Sequence, residues 1–152
     1  MVMARYILCL IIAVATAGSL TSAGLAERAG NGAYVVKRDK GGVIAQYHKN
    51  ALSLEAASTP VVIDGLCASA CTAYLKNACA TDKARIGFHK ARLKRSARKR
   101  YKTDREKRLM VSLTKYLDGL LQSHYPPRVR NWLSRKGGLP SSDKVLWLSL
   151  IH

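Results

Sequence analysis

The chain has 152 residues, of which roughly the first 23 to 26 read as removable, leaving one small domain and excluding a multidomain enzyme. Lys and Arg number 26 against 9 Asp and Glu, a net charge of +17, yet 48% of residues are hydrophobic, too many for a disordered basic tail. Aromatic residues make up only 7%, which argues against a base-stacking surface and makes nucleic acid an unexpected partner.

Residues 1–5 form a short basic start, residues 6–17 are almost wholly apolar, and residues 18–26 are small and polar. This is the pattern of a signal peptide over residues 1–26, with cleavage after Ala23 or Ala26. An apolar run of about 12 residues falls short of the roughly 20 needed to cross a hydrocarbon layer of ~30 Å. Residues 27–152 are then a single exported domain. Cys9 leaves with the signal, and Cys67, Cys71 and Cys79 meet an oxidising compartment. One disulfide drawn from these three is expected, with Cys79 taking part. Together with His89 they have ligand types suited to zinc, but they lack a Cys-x-x-Cys knuckle, so no metal and no cofactor is assigned.

Residues 33–36 read as a short strand that stops at Asp39-Lys40-Gly41-Gly42, a flexible turn whose backbone N–H groups can face outward. Val43, Ile44, Tyr47, Ala51 and Leu54 follow at helical spacing, and Pro60 ends that segment. Val61-Val62-Ile63 is a β-branched triplet fit for a buried strand, ending at Asp64-Gly65. Residues 69–78 read as a helix of small side chains. A further strand over residues 84–89 puts Ile86 and Phe88 on one face. Residues 90–108 then carry 11 Lys or Arg against Asp104 and Glu106, a net of +9. An amphipathic helix follows, with Leu109, Leu113, Tyr116, Leu117, Leu120 and Leu121 as its apolar stripe, and Pro126-Pro127 stops it. Residues 129–135 make a short helix, Gly137-Gly138 closes it, and residues 145–151 form a last strand or packed tail. Strands alternate with helices, so the fold class is α/β.

The chemistry concentrates at Gly65-Leu66-Cys67-Ala68-Ser69-Ala70-Cys71. A strand, a turn and then Ser69 at a helix start place a hydroxyl where unpaired N–H groups and the positive end of the helix dipole also point. Twenty residues on, a strand ends at His89, a candidate general base. The ordered set of Gly41-Gly42, Val61-Val62-Ile63-Asp64-Gly65, Ala68-Ser69-Ala70 and Ile86-Gly87-Phe88-His89 resembles the core of the caseinolytic-protease/crotonase superfamily. In particular it resembles a small exported bacterial branch with a Cys-x-Ser-Ala-Cys-Thr signature, here Cys67 to Thr72. The resemblance covers roughly residues 33–125. It implies repeated strand-turn-helix (ββα) units, abbreviated at the N-terminus, and location in the bacterial periplasm. It implies Ser69 as nucleophile, His89 as general base, and N–H groups at Gly42 and Ala70 as an oxyanion hole. A peptide substrate and assembly into trimers or rings are implied in the same way. The family's Gly-Gly turn commonly follows Ser-Pro, whereas Asp39-Lys40 precede it here. Proteolytic relatives orient the His with an acid after the long helix; Asn131 stands nearest that place, and Asp143 lies further on.

The basic segment supports a different reading. Lys94, Arg95, Arg98, Lys99 and Arg100 are candidate anion-binding residues for an envelope polymer, a lipid headgroup or an acidic protein. The sequence therefore carries two readings, a serine hydrolase with a Ser69–His89 dyad and a catalytically inactive relative that binds an anionic partner.

Overall fold

The computed structural model describes residues 26–28, 32–93 and 102–149. The leader through residue 25 and the anion-binding candidates Lys94, Arg95, Arg98, Lys99 and Arg100 lie outside the described residues.

Among the described residues six strands form one mixed sheet. β1 (Ala26–Arg28) runs antiparallel to β2 (Tyr34–Asp39), which pairs in parallel with β3 (Val61–Ala68). Between them α1 (Ile44–Ala56) makes the crossover that a parallel pair requires. β3 is long enough to serve two partners on its other edge. Val61–Ile63 pairs with β4 (Ala78–Ala80) and Leu66–Ala68 pairs with β5 (Arg85–Phe88), both in parallel. β6 (Leu146–Ser149) closes that side, antiparallel to β5. The fold is thus α/β, as the alternation in the sequence implies. The helices among the described residues are α1, a 3₁₀ helix (Ser69–Asn77), α2 (Asp104–Gln122) and α3 (Pro127–Arg135).

Two local expectations need correction. Asp64-Gly65 does not end the strand. Pairing of β2 with β3 advances from Val36↔Ile63 to Arg38↔Leu66, so β3 holds one extra residue there, a bulge. Gly65 suits it because a Cβ would collide with the Lys37 carbonyl oxygen. The small-residue segment forms a 3₁₀ helix, not an α-helix, and ends at Asn77, giving Ala78 to β4. Thr103 and Glu106 start α2 with a reciprocal capping box. Of its apolar stripe only Leu121 is buried. Leu109, Leu113 and Tyr116 are 60%, 42% and 64% exposed, because only the C-terminal part of the helix packs on the body.

The core sits between the sheet and the helices. Val36, Ile63, Cys67, Ile86 and Phe88 rise from the strands against Cys71 and Tyr74 of the 3₁₀ helix, with Leu121, Tyr125 and Leu133 closing over them. Phe88 meets the Tyr125 ring edge-on at 5.3 Å and the Trp132 ring at 5.7 Å. Pro127, at the first turn of α3, needs no N–H acceptor there.

Register sets the position of the site. Asp39 lies opposite Cys67, and Ala68 opposite Gly87, so β2, β3 and β5 end together on one edge of the sheet. The segments leaving those ends are Lys40-Gly41-Gly42, Ser69 and His89. The carboxyl ends of parallel strands are where open α/β sheets bind ligands.

Candidate active site

An open cleft of about 980 Å³ lies at that edge, lined among others by Gly41, Gly42, Ser69, His89, Leu117 and Leu121. Three residues singled out in the sequence, Gly42, Ser69 and His89, therefore face one cavity. Ala70 is fully buried behind the Gly41 turn, its N atom 2.6 Å from where a Cβ on Gly41 would sit. Asn131 is exposed on α3 and Asp143 is exposed in the turn before β6; neither lines the cleft. Asp143 is instead held below the usual carboxylate range by a hydrogen bond from Ser141.

Ser69 adopts φ +58°, the left-handed conformation that costs a residue with a Cβ about 1–2 kcal/mol. Several bonds hold it there. Cys67 and Cys71, on either side, form a disulfide with Cα atoms 5.4 Å apart. Within the set of three, Cys67 and Cys71 therefore pair with each other, not with Cys79 as expected, because they flank one tight turn; among the described residues no cysteine is free, Cys79 included. The Thr72 hydroxyl donates to the Ser69 carbonyl at 2.6 Å, and it lies 2.9 Å from the Tyr125 hydroxyl. A carbonyl only accepts, so the single Thr72 proton is committed and Tyr125 must be the donor to Thr72. Burial pushes the Tyr125 hydroxyl up to about 12, which keeps it protonated for that task. No side chain caps the 3₁₀ helix, and the first N–H groups of a helix have no acceptor within it.

The Gly-Gly turn is fixed by Asp39. Its carboxylate is nearly buried and accepts both the Gly41 N–H and the Tyr47 hydroxyl at 2.7 Å. Burial and the Asp39 carboxylate hold the Tyr47 hydroxyl well above its ordinary range, so it remains a donor. The Asp39-Lys40 sequence, which departs from the Ser-Pro of the resembled family, thus has its own means of holding the turn. Gly41's N–H is spent on Asp39. Gly42 carries the turn into the cleft.

His89 follows β5, and its Nδ1 lies 2.7 Å from the Lys90 carbonyl oxygen. The proton of a neutral ring is therefore on Nδ1, and Nε2 is the basic nitrogen. The segment is held from two sides. Lys90 N–H donates to the Pro140 carbonyl at 3.0 Å, and Ala91 N–H donates to Asp118 Oδ1 at 2.5 Å. Burial raises the Asp118 carboxyl, while the Ala91 N–H and the nearby charges of Lys90 and His89 pull it the other way. No hydrogen bond joins Ser69 to His89, as is common in unliganded sites.

The sequence reading missed Asp118, Thr72, Tyr125 and Tyr47. Asp118 carried a signal, an acid within an otherwise apolar helical turn of α2. The Lys90 carbonyl carried none, since every residue has one. No family model matches the chain, and no curated protein matches it.

Proposed function

We propose that the chain is a serine hydrolase acting on acyl compounds, with Ser69 as nucleophile and His89 as general base. The observation that carries this reading is Ser69 on a strained strand-to-helix turn, opening into the same cleft as a histidine whose Nε2 is left basic. Ser69 Oγ attacks the acyl carbon as His89 Nε2 takes its proton. Nδ1–H, on the Lys90 carbonyl, steadies the imidazolium that forms. The same proton then passes to the leaving group, and water releases the acyl-enzyme. N–H groups at Gly42 and Ala70 serve the developing oxyanion. Kinship with the caseinolytic-protease/crotonase superfamily belongs to this proposal, supported by the order of turn, serine and histidine around one cleft. Turnover of a panel of chromogenic esters and peptides tests it. Activity should vanish in Ser69→Ala and His89→Ala while both variants melt like the parent; activity that survives Ser69→Ala defeats the reading.

A second reading is favoured by the net +9 of residues 90–108, 11 cations against two acids. Here the fold is inert and binds an anionic partner through the basic segment. Binding should be unchanged in Ser69→Ala, fall steeply with salt, and disappear when Lys94, Arg95, Arg98, Lys99 and Arg100 are neutralised. Salt-insensitive binding would remove it.

A further inference from the structure

The first turns of α2 present a surface that neither the cleft nor the core uses. Leu109, Leu113 and Tyr116 recur at i, i+4 and i+7, which places them in one row along the helix, and all three are exposed. Arg105 stands one turn ahead of the row, and Arg108 and Lys115 stand beside it, all exposed. The two acids of this stretch are already engaged. Glu106 is tied into the capping box with Thr103, and Asp104 pairs with Lys107 at 3.2 Å. Residues 90–108 as a whole carry 11 cations.

We propose that this row of α2 seats on a membrane surface containing anionic lipid, with Leu109, Leu113 and Tyr116 entering below the headgroups and the neighbouring cations meeting them. The shape of the row and its charge select this occupant. Three side chains on a convex helix offer no pocket and little of the roughly 800 Å² per partner that a stable protein interface buries. A second copy would bring another +17 against the same basic helix. A lipid surface moulds itself to a convex row and supplies apolar depth beneath negative charge. The adjoining face of the same helix, Leu117 and Leu121, lines the cleft with Ser69 and His89, so the seated helix brings the mouth of the cleft beside the lipid. The inference rests on the anionic-partner reading and names the partner; it does not depend on turnover at Ser69.

The test uses the purified protein with two probes, soluble polyphosphate and vesicles of phosphatidylcholine with or without phosphatidylglycerol. Wild type should bind polyphosphate and should sediment only with vesicles that contain phosphatidylglycerol. The triple variant Leu109→Ser, Leu113→Ser, Tyr116→Ser should keep polyphosphate binding and lose vesicle binding by at least about tenfold. Its exposed positions spare the core, which an unchanged melting curve checks; Leu52→Ser, exposed on α1, should bind vesicles like wild type. If neither probe binds, the anionic-partner reading fails and this inference fails with it. If polyphosphate binds and the triple variant still holds the vesicles fully, the row is not the seat and the inference alone is overturned. Equal binding to pure phosphatidylcholine also overturns it. So does light scattering that shows a wild-type oligomer without lipid and a monomeric triple variant, which would assign the row to a second copy.

Discussion

Replacing Gly41 with Ala tests how the site is held, because its effects can be worked out atom by atom. Gly41 has φ +79°, and a Cβ there would lie 2.6 Å from the Ala68 carbonyl oxygen, 2.6 Å from Ala70 N and 2.7 Å from Ser69 Cβ. Two costs follow. The left-handed backbone costs an alanine about 1–2 kcal/mol, and forcing a methyl against packed backbone adds about 1–3 kcal/mol. Their sum, about 2–5 kcal/mol, is a large part of the roughly 5–15 kcal/mol that holds a domain folded. The second cost falls on the atoms that flank Ser69, so site geometry shifts along with stability. Gly42 is the internal control. A Cβ there meets only Tyr47 Cε2, at an ordinary 3.4 Å, and Gly42→Ala should stay within about 1 kcal/mol of wild type. Urea denaturation midpoints report stability, and the rate of covalent labelling by a fluorophosphonate reports the site. A Gly41→Ala protein that matches wild type in both, or a Gly42→Ala protein that loses as much stability, would refute the prediction.

Other perturbations probe the supports separately. Asp118→Ala leaves the buried Ala91 N–H without its acceptor and should cost about 1–3 kcal/mol in denaturation and slow the labelling; Asp118→Asn keeps an acceptor oxygen and should recover most of both. Losing the Cys67–Cys71 bridge in the double alanine variant should cost about 2 kcal/mol, the chain-entropy value for so short a loop, read as a lower melting temperature than that of the oxidised parent. His124 is buried and bonded to His48 at 2.7 Å; burial first, then the charges of His48 and Lys76, depress its folded pKa below the ordinary 6.5. Its contribution to stability is therefore complete above about pH 6.5 and is lost as pH falls through the depressed folded value. Melting temperature should decline over that window, and His124→Asn should flatten the decline; an unchanged slope would dismiss His124 as its source.

The parts of the site that were legible in the sequence are those set by chain order. A turn, a serine and a histidine each follow a strand, and parallel pairing with aligned ends brings the three together. The parts that were not legible depend on what lies across the chain. Gly65 carries the same local signal whether it ends a strand or relieves a bulge, and only the Lys37 carbonyl opposite it decides. Residues 69–77 are small enough for either helix type, and the disulfide and the bonds to Thr72 accompany the tighter one. The α2 stripe has full helical periodicity, yet periodicity cannot say where along a helix the body stops. Asn131 stands out as a third catalytic side chain in the sequence because carboxylates and amides are visible there. The Nδ1 acceptor is a backbone carbonyl, which has no residue type to betray it.

The most direct measurement of the central claim is peptide mapping by mass spectrometry after fluorophosphonate treatment of the folded domain. One adduct is expected, on Ser69, absent in Ser69→Ala and slowed in His89→Ala. Folded protein that takes no label, or that takes it equally without Ser69, would contradict it.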